Sequence, residues 1–584
     1  MSGAWTKPTD AGTGAVCASF APDGSWLSIG CLHPRWGFVE LNDLPPFDET
    51  ERGDPTATRR YRTRMTDPHF AWLRVENAGP AARAGPAVGA PGSHRLVQHW
   101  EVDPSLRPLV RVTGRIDRPP LAEITEINPP GPTGATTTMR AEGSRLVVQS
   151  AELPALATVE VTTGRWSVQG TEAALQAGPG ARSLDIAVTL VPDAVVAEAR
   201  THPRTAASRP EDGPDAEASG IGRIVEGSLA YVRSCTALVL APGERPFLTD
   251  HRLLPLSWTR DAYYQALLLL GTGSASDSAL VADHLRWLWR RCERPGGRWL
   301  RSHHGNGTPK DRAFQADQQL YPFVELADLW RRTHELPDGV DWARHVPEAW
   351  QVVLEDVDPV CGLIRTDENA ADDRVEAPFV AGSQILLWYA AGRLAELAAG
   401  TDIGLRTGEL RATAERARIA FGRHFVRDGR WVYATDGRGG SVDYHDANEF
   451  PTVLAPFWGF CAPDDPAWRA TLAWAFSPAN AAYVDGLDGG LGSRHTPGTW
   501  PLGHVQAWLA ATIIQHRARA EMALARLADA AFSDGLLPEA VQHDTSGRRA
   551  VRHWFAWPGA ALGAFWQLER TRAWDTLAVG GTMR

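Results

Sequence analysis

The pattern of apolar positions changes once along the chain, near residue 220. Before about residue 200, short alternating or β-branched runs such as VCASFA, HRLVQHWEV, RLVVQS and LDIAVTLV are separated by Gly, Pro, Asp and Asn. Such runs predict strands, and strands at this spacing are typical of an antiparallel β-sandwich, which we expect over residues 1–200. Residues 201–220 are poor in apolar residues and rich in Pro, Ala and charge, so we predict a linker there.

From residue 221 onward, apolar residues recur with the period of an α-helix. The pattern predicts twelve helices, at 222–239, 260–272, 275–292, 314–334, 341–356, 378–399, 405–427, 447–461, 465–476, 503–515, 516–533 and 555–571. Twelve helices in consecutive pairs predict an (α/α)6 toroid over residues 221–584, so the chain is expected to be mainly α. Long connections such as 428–446 and 534–554 would then gather at one mouth, and loops of that length are usually functional.

Size and charge narrow the classes of function. A chain of 584 residues favours two domains, and its formal net charge of −10 without a long basic run makes nucleic acid and anionic membrane surfaces poor partners. We see no secretory leader and no apolar stretch of membrane-spanning length, so we expect a cytoplasmic protein. The six cysteines form no CxxC pair, and no His, Asp and Cys cluster has ligand spacing, so we expect no metal and no cofactor.

The 24 Trp are unusual for this length. The flat apolar face of Trp suits the C–H faces of sugar rings, although most single Trp residues serve in core packing. Acidic, amide, histidine and tryptophan residues also cluster at the breaks between the predicted helices. That arrangement is typical of a polar, aromatic-lined pocket for a sugar in a helical scaffold.

Two of these clusters begin predicted helices in the middle of the chain. In LPLSWTRDAYYQALLLLG, Trp258 precedes Arg260 and Asp261, and an adjacent Arg and Asp can grip two neighbouring sugar hydroxyls. Capping of the helix is the alternative for the acid, since Asp is favoured near a helix N-terminus. Asp317 in AFQADQQLYPFVELADLW could equally be a cap or a site residue.

An acidic loop, TDENAADDRVEAP, precedes a predicted apolar helix and contains Asp372 and Asp373. An acidic run is usually a solvated loop. A carboxyl group in front of a buried helix can nevertheless be partly desolvated, which raises its pKa and makes it a usable proton donor.

Three later segments combine polar and aromatic residues. DYHDANEFPTVLAPFWGF places Asp446 and Asn448 at a helix entry, where capping by Asp446 does not exclude contact with a substrate. GGLGSRHTPGTWPLG is rich in hydrogen-bond donors, and DGLLPEAV places Glu539 between helices, ahead of an aromatic wall. A lone loop Glu is usually solvated, but a general base would be useful here. The candidate residues of the last two regions are Arg494, His495, Trp500, Glu539, Trp554 and Trp557.

At these segments the chain resembles the (α/α)6-barrel glycosidases, and most closely glycoside hydrolase family 125, the exo-α-1,6-mannosidases. The resemblance covers WTRD, QADQQLYP, the Asp372–Asp373 pair, DAN, GLGSRHTPGTWP, Glu539 and WFAW, in the family's order. The chain departs from the family at Ala370 and Ala371, where the family has Arg-Pro-Ser, and at Pro538, where it has His. The β-rich N-terminal region looks more like the sandwich of family 15 bacterial glucoamylases, which share the WTRD segment.

The resemblance implies an inverting, exo-acting glycoside hydrolase that releases a terminal α-linked sugar from an oligosaccharide or glycoside, with mannose favoured. Inversion needs two carboxyl groups about 6.5–9.5 Å apart. We assign the acid to Asp372 or Asp373, with Asp372 slightly preferred, and the base to Glu539. The sugar would be held by Arg260, Asp261, Asp317, Asp446, Asn448, Arg494 and His495 and walled by Trp258, Trp500, Trp554 and Trp557.

Three alternatives stay open. A glucoamylase-like α-glucosidase would share the scaffold and the mechanism. A glycoside phosphorylase would use phosphate in place of water and should lack the base, so Glu539 argues against it. A catalytically inactive carbohydrate-binding protein would bind sugar without hydrolysing it.

Overall fold

A computed structural model of the chain describes residues in two stretches, one before residue 191 and one from residue 220 onward. Before residue 191 the described residues are 9–12, 17–20, 26–33, 37–42, 73–77, 94–101, 109–113, 137–150, 157–170, 172–176, 178 and 183–190. The second stretch is 220–581 except for 237, 239, 251–254, 311, 487–488, 532–535, 545–546 and 552–554. The predicted linker at 201–220 therefore lies outside the described residues apart from Gly220, and Trp554 lies outside them as well.

The N-terminal stretch forms strands, as the alternating pattern predicts. The thirteen described strands before residue 191 are β1 Thr9–Gly12, β2 Cys17–Phe20, β3 Trp26–His33, β4 Gly37–Asn42, β5 Leu73–Asn77, β6 His94–Glu101, β7 Leu109–Thr113, β8 Thr137–Glu142, β9 Arg145–Ser150, β10 Ala157–Val161, β11 Arg165–Gln169, β12 Glu172–Gln176 and β13 Ser183–Leu190. Their described pairings are antiparallel. The sheets have the strand orders β1-β2-β3-β4, β5-β6-β13-β10-β9-β8 and β11-β12-β7. Their packing into a sandwich, and the domain boundaries, stay predictions.

The C-terminal stretch is helical, and each predicted helix has a counterpart there. The α-helices are α1 Gly220–Cys235, α2 Thr259–Gly271, α3 Ala275–Arg286, α4 Ala316–Thr333, α5 Trp342–Glu355, α6 Ala381–Gly400, α7 Thr407–His424, α8 Phe450–Trp458, α9 Pro466–Ala475, α10 Pro501–Ile513, α11 Arg517–Ala530 and α12 Ala556–Thr571. A π-turn at Trp287–Arg291 extends α3, and short 3₁₀ turns lie at Pro295–Gly297 and Trp574–Leu577.

Short strands occupy the connections between the helices. They are Leu256–Ser257, His303–His304, Phe379–Val380, Val426–Arg427, Arg430–Trp431, Ala434–Thr435, Ser441–Val442, Tyr483–Val484, Gly490–Leu491, Ala540–Asp544 and Gly547–Val551. The last two form an antiparallel hairpin in the long loop before α12.

The even-numbered helices form a closed inner ring. Neighbours touch in the order α2, α4, α6, α8, α10, α12 and back to α2, while α1, α3, α5, α7 and α11 pack outside. Burial explains the division. Helix α2 is buried along almost its whole length, whereas α11 buries only Ala523, Leu527 and Ala530, one stripe at helical spacing. A helix that is buried along almost its whole length, such as α2, is surrounded by protein and must lie in the inner ring. The predicted (α/α)6 arrangement is therefore present.

All six inner helices begin at one end of the ring, which we call the mouth. Arg260 near the start of α2 contacts Asp317 near the start of α4 and Trp557 near the start of α12. Gly382 in the first turn of α6 lies against Glu449, which directly precedes α8. The N-terminal ends of helices carry partial positive charge, so the scaffold favours carboxylates at the mouth.

The opposite end of the ring is covered by residues 574–581, which we call the closing segment. Arg331 donates to the Thr576 and Gly581 carbonyls at 2.7 and 2.6 Å, and the Tyr389 hydroxyl donates to the Leu577 carbonyl at 2.9 Å. The chain thus passes over the far ends of the inner helices after α12. Among the described helices, none has the length and apolarity to span a lipid bilayer.

Candidate active site

Arg260 is the centre of a charged cluster at the mouth. Its side chain is 4% exposed, and its Nη1 donates to Asp317 Oδ2 at 3.0 Å. The guanidinium also lies 3.3 Å from Asp261 Oδ1 and 3.6 Å from Asp372 Oδ1, and it stacks 4.8 Å from the ring centre of Trp557. One buried cation therefore draws together three of the predicted site carboxylates and one of the predicted tryptophans.

Two side chains donate hydrogen bonds to the Asp372 carboxylate. Trp258 Nε1 donates to its Oδ2 at 3.1 Å, and Gln315 Nε2 donates to its Oδ1 at 2.6 Å. Burial alone would raise the pKa of this carboxyl, but Arg260, Arg301 and the Gln315 amide outweigh burial, and the net pKa lies below the usual range. The surroundings of Asp372 therefore stabilise a carboxylate and do not favour the expected role of Asp372 as proton donor.

Asp373 lies beside Asp372 in the sequence but faces a different part of the mouth. Its Oδ1 lies 3.2 Å from Nδ1 of His495, a residue 122 positions away. Its Oδ2 is buried and has no hydrogen-bond partner in the part of the chain that the structure describes. The neighbouring carboxyls thus differ, since both oxygens of Asp372 accept a side-chain hydrogen bond whereas Oδ2 of Asp373 has no partner among the described residues.

The loop that carries His495 is anchored on Asp446. Ser493 Oγ donates to Asp446 Oδ2 at 2.9 Å, and the His495 backbone N–H donates to Ser493 Oγ at 3.2 Å. Asp446 Oδ1 accepts the Asn448 backbone N–H at 2.9 Å. Both oxygens of Asp446 are thus used within the protein. The N-cap position of α8 is Glu449, so the predicted capping by Asp446 is wrong, and Asp446 instead holds the loop of His495.

Asn448 and Arg494 lie on either side of this anchor. Asn448 is 2% exposed, and its Nδ2 has no partner among the described residues, so a donor remains available at the mouth. Arg494 is half exposed, pairs with Glu376 at 3.1 Å and covers the ring of Tyr444 at 4.1 Å. Arg494 therefore lies at the rim of the cluster.

Glu539 lies in the loop before α12. It is 2% exposed, in contrast to the solvated position usual for a loop glutamate. Two residues later, Val541 exchanges backbone hydrogen bonds with Thr499 at 3.0 and 2.8 Å. The segment of Glu539 is thereby fixed to the same loop that carries His495.

The three described tryptophans of the predicted walls are all buried, and each has different surroundings. Trp557 is buried under Arg260 and stacks on Tyr264, with ring centres 5.8 Å apart. Trp500 is 3% exposed, and its Nε1 donates to the Thr496 carbonyl at 2.9 Å, so it packs the loop. Trp258 orients Asp372, as described above.

Two carboxyls at the mouth are strongly perturbed. Burial raises the pKa of Asp261 to about 7, and repulsion from Asp372 adds to burial while Arg260 and Thr249 oppose it. Burial and Asp446 raise the pKa of Glu449 to about 8. Glu449 is therefore largely protonated at neutral pH and Asp261 about half protonated, and perturbed pKa values of this kind cluster at functional sites.

Gln315 and Glu449 are among the members of the cluster that sequence reasoning missed. Gln315 lies inside a quoted motif, yet its amide joins Asp372, Arg260 and Glu368, with 3.2 Å to the Glu368 carboxylate. Glu449 fits only because residue 382 is glycine, since a Cβ there would lie 1.9 Å from Glu449 Oε1. A carboxylate directly before an almost wholly apolar helix was the available signal for Glu449.

Comparison with known proteins bears on this cluster. Residues 351–566 match the family described as metal-independent alpha-mannosidase (GH125). A metal-independent alpha mannosidase from Streptococcus pneumoniae, solved with alpha-1,6-mannobiose, is 18% identical, with a TM-score of 0.53 over 60% of this chain and 95% of that chain. A bacterial glucoamylase solved with acarbose is 10% identical, with a TM-score of 0.58 over 98% of this chain and 95% of that one. A comparison with curated proteins gives no match.

The family match confirms the resemblance inferred from the motifs, and the chain is a glycoside hydrolase. The matched range contains Asp372, Asp373, His495 and Glu539 but begins after Arg260 and Asp317. At these low identities the two solved structures establish the (α/α)6 glycosidase fold and no more.

Proposed function

We propose that the protein is an exo-acting, inverting α-glycosidase that releases a terminal sugar, with mannose favoured. The observation that carries the proposal is the contrast between two adjacent carboxyls at the mouth of the ring. Asp372 accepts donors from Trp258 and Gln315, whereas Asp373 has one buried oxygen with no partner among the described residues. Inverting glycosidases need one carboxyl that keeps a proton and one that takes a proton from water.

We assign the general acid to Asp373 in preference to Asp372. A group whose pKa is lowered is ionised at neutral pH and has no proton to give. In the proposed step the O–H bond at Asp373 Oδ2 breaks as the glycosidic oxygen takes its proton and the C–O bond to the anomeric carbon breaks. Asp372 would instead hold sugar hydroxyls or stabilise the positive charge that develops on the ring.

Glu539 is the proposed base. As the water oxygen bonds to the anomeric carbon from the opposite face, Glu539 takes the water proton. Its support is its burial and the backbone pairing of its segment with the loop of His495. A phosphorylase would place phosphate where this water lies and would not need the carboxylate.

The choice of mannose rests on the family match, and the exo-acting mode on the same resemblance. The test is a panel of aryl α-glycosides and α-linked disaccharides, with proton NMR of the product in the first minutes of reaction. We expect α-mannosides to be cleaved and the product to have inverted configuration. Retention of configuration would contradict the assigned pair of carboxyls.

The same panel separates the other activities. Preference for α-glucosides would make the protein glucoamylase-like, and turnover that depends on phosphate would make it a phosphorylase. Binding of the disaccharides without hydrolysis would identify an inactive carbohydrate-binding protein. Release of internal oligosaccharides from a long polymer would contradict the exo-acting mode.

A further inference from the structure

The two adjacent carboxyls are presented by a tight turn that Asn369 closes. Asn369 is 7% exposed, and its Oδ1 accepts the backbone N–H groups of Ala371 and Asp373 at 2.9 and 3.0 Å. The Asn369 N–H donates to the Asp373 carbonyl at 2.8 Å. Asp372 at the tip has φ +63°, a left-handed conformation that few non-glycine residues adopt.

The turn sends the two side chains in different directions. Asp372 faces Arg260, Trp258 and Gln315 on the side of α2 and α4. Asp373 faces the loop before α10, where His495 lies 3.2 Å from its Oδ1. The side chains of His495 and Asp373 are partly buried, with 26% and 24% of their surface exposed.

His495 is fixed before any ligand arrives. Its backbone N–H is held by Ser493, and Ser493 is held by Asp446. On the other side of the loop, Thr499 pairs with Val541 and Gln542 Nε2 donates to the Pro497 carbonyl at 2.6 Å. The imidazole therefore reaches Asp373 from a loop anchored at both ends, which is the arrangement needed to hold a side chain in one orientation.

We propose that His495 is a positioning residue for Asp373, rather than a direct sugar ligand. In this role its Nδ1–H donates to Asp373 Oδ1, which fixes the carboxyl and leaves Oδ2 as the oxygen that carries the proton toward the glycosidic oxygen. The inference rests on the proposed function, because it assumes that Asp373 is the acid. A further consequence is that Asp446 acts on the chemistry at a distance, through Ser493 and the loop.

The test compares two substrates whose leaving groups differ in their need for a proton. A disaccharide needs proton donation to its leaving oxygen, whereas 2,4-dinitrophenolate departs without it, so a defect in the acid affects the first substrate far more than the second. The probes are α-1,6-mannobiose and 2,4-dinitrophenyl α-mannoside. We expect His495→Ala to lower kcat/KM about 30- to 100-fold for the disaccharide, less than the full effect of about 10²–10⁴-fold for general acid catalysis because the acid itself is retained, and less than about 3-fold for the aryl glycoside.

Conservative replacement and a loop variant sharpen the test. His495→Asn places an amide N–H near the position of Nδ1 and should recover most of the disaccharide activity. Gln542→Ala releases the same loop at Pro497 without touching the pair, and it should affect both substrates by the same factor. Equal losses for both substrates in His495→Ala would overturn the proposal and make His495 a binding or loop residue.

Asp373→Asn distinguishes failure of this inference from failure of the proposed function. It should show the same selective loss on the disaccharide, more strongly than His495→Ala. If Asp373→Asn affects both substrates equally, Asp373 is not the acid and both proposals fall. If Asp373→Asn is selective but His495→Ala is not, only the role of His495 is overturned.

Discussion

At both ends of the inner helix ring an arginine is buried among carboxyl groups. At the closed end, Arg393 is 1% exposed and binds Asp328 at 3.0 Å and Glu396 at 3.1 Å. It also donates to the Thr576 carbonyl at 2.9 Å and to the Tyr389 hydroxyl at 3.0 Å. Backbone carbonyls of the closing segment thus complete the hydrogen bonding of this cation.

At the mouth, Arg260 faces Asp261, Asp317 and Asp372, with further acids nearby. Acids outnumber cations in this cluster. Burial raises the pKa of Asp261 to about 7 and that of Glu449 to about 8, so at neutral pH Glu449 keeps its proton and Asp261 is about half protonated. The mouth therefore keeps hydrogen-bonding capacity that the closed end uses up, as expected where a polar ligand must bind. Under the proposed function this capacity at the mouth serves a ligand, whereas the contacts at the closed end stabilise the fold.

The largest effect should come from Glu539→Gln at the mouth. Water activation is lost while shape is kept, so kcat should fall about 10²–10⁴-fold while the protein stays folded. Steady-state kinetics and denaturant unfolding of the same preparation check this. Near-normal turnover would show that Glu539 is not the base. The contrast between a reacting mouth and a structural closed end would then lose its support from Glu539.

Arg393→Met at the closed end should lower the stability of the protein and leave kcat almost unchanged. Removing the cation leaves Asp328 buried without its partner, which should lower the free energy of unfolding by about 3–5 kcal/mol. Below the unfolding transition, kcat should stay within about 2-fold of the parent because the reacting groups lie at the other end. A large loss of kcat in fully folded protein would show that the ends are not independent.

Arg260→Met tests whether the mouth cation acts on substrate. A charge-assisted interaction is worth about 1.5–3 kcal/mol, so kcat/KM should fall about 10- to 100-fold. Kinetics on the best substrate of the panel measure this, and Arg393→Met serves as the matched control for loss of a buried guanidinium. If Arg260→Met only destabilises the protein and leaves kcat/KM intact, the mouth arginine is structural as well.

The effect on the pH dependence of stability is the smallest when it is expressed per pH unit. A buried carboxyl whose folded pKa is raised binds its proton more tightly in the folded state, so its contribution to stability is complete below the unfolded pKa and is lost as pH rises toward the folded value. For Glu449 this window runs from roughly pH 4.3, the unfolded pKa, to about 8. Glu449→Gln should remove a slope of up to about 1.4 kcal/mol per pH unit. Unfolding free energies at several pH values would reveal an unchanged slope if Glu449 is ionised throughout.

Features that depend on residues close together in the sequence can be predicted from it, whereas features that depend on contacts between distant segments cannot. The twelve helices follow from local periodicity, and their ends shift by only a few residues. Helix α8 is shorter than predicted, Phe450–Trp458 instead of 447–461, because the preceding polar residues form its entry and Gly459 ends it with φ +85°. The strands before residue 191 follow from alternation in the same way, while their packing into a sandwich stays a prediction.

Contacts between distant segments could not be predicted from the sequence. His495 and Asp373 are each visible as candidates, but nothing local shows that they meet across 122 residues. The acid pair illustrates the same limit. The sequence shows two adjacent carboxyls, whereas the left-handed backbone at Asp372 and the side chain of Asn369 decide which way each one faces.

The closing segment has a consequence for synthesis of the protein. Arg331 leaves the ribosome about 245 residues before Thr576, the residue whose carbonyl it binds. At the elongation rates of about 5–20 residues per second, that interval lasts on the order of ten seconds or more. During it, Arg331 and Arg393 lie on a helix array that has neither α12 nor its cover, so the growing chain presents an open, partly charged surface. Completion of the ring is therefore a late event in translation, which waits for the synthesis of α12 and the closing segment.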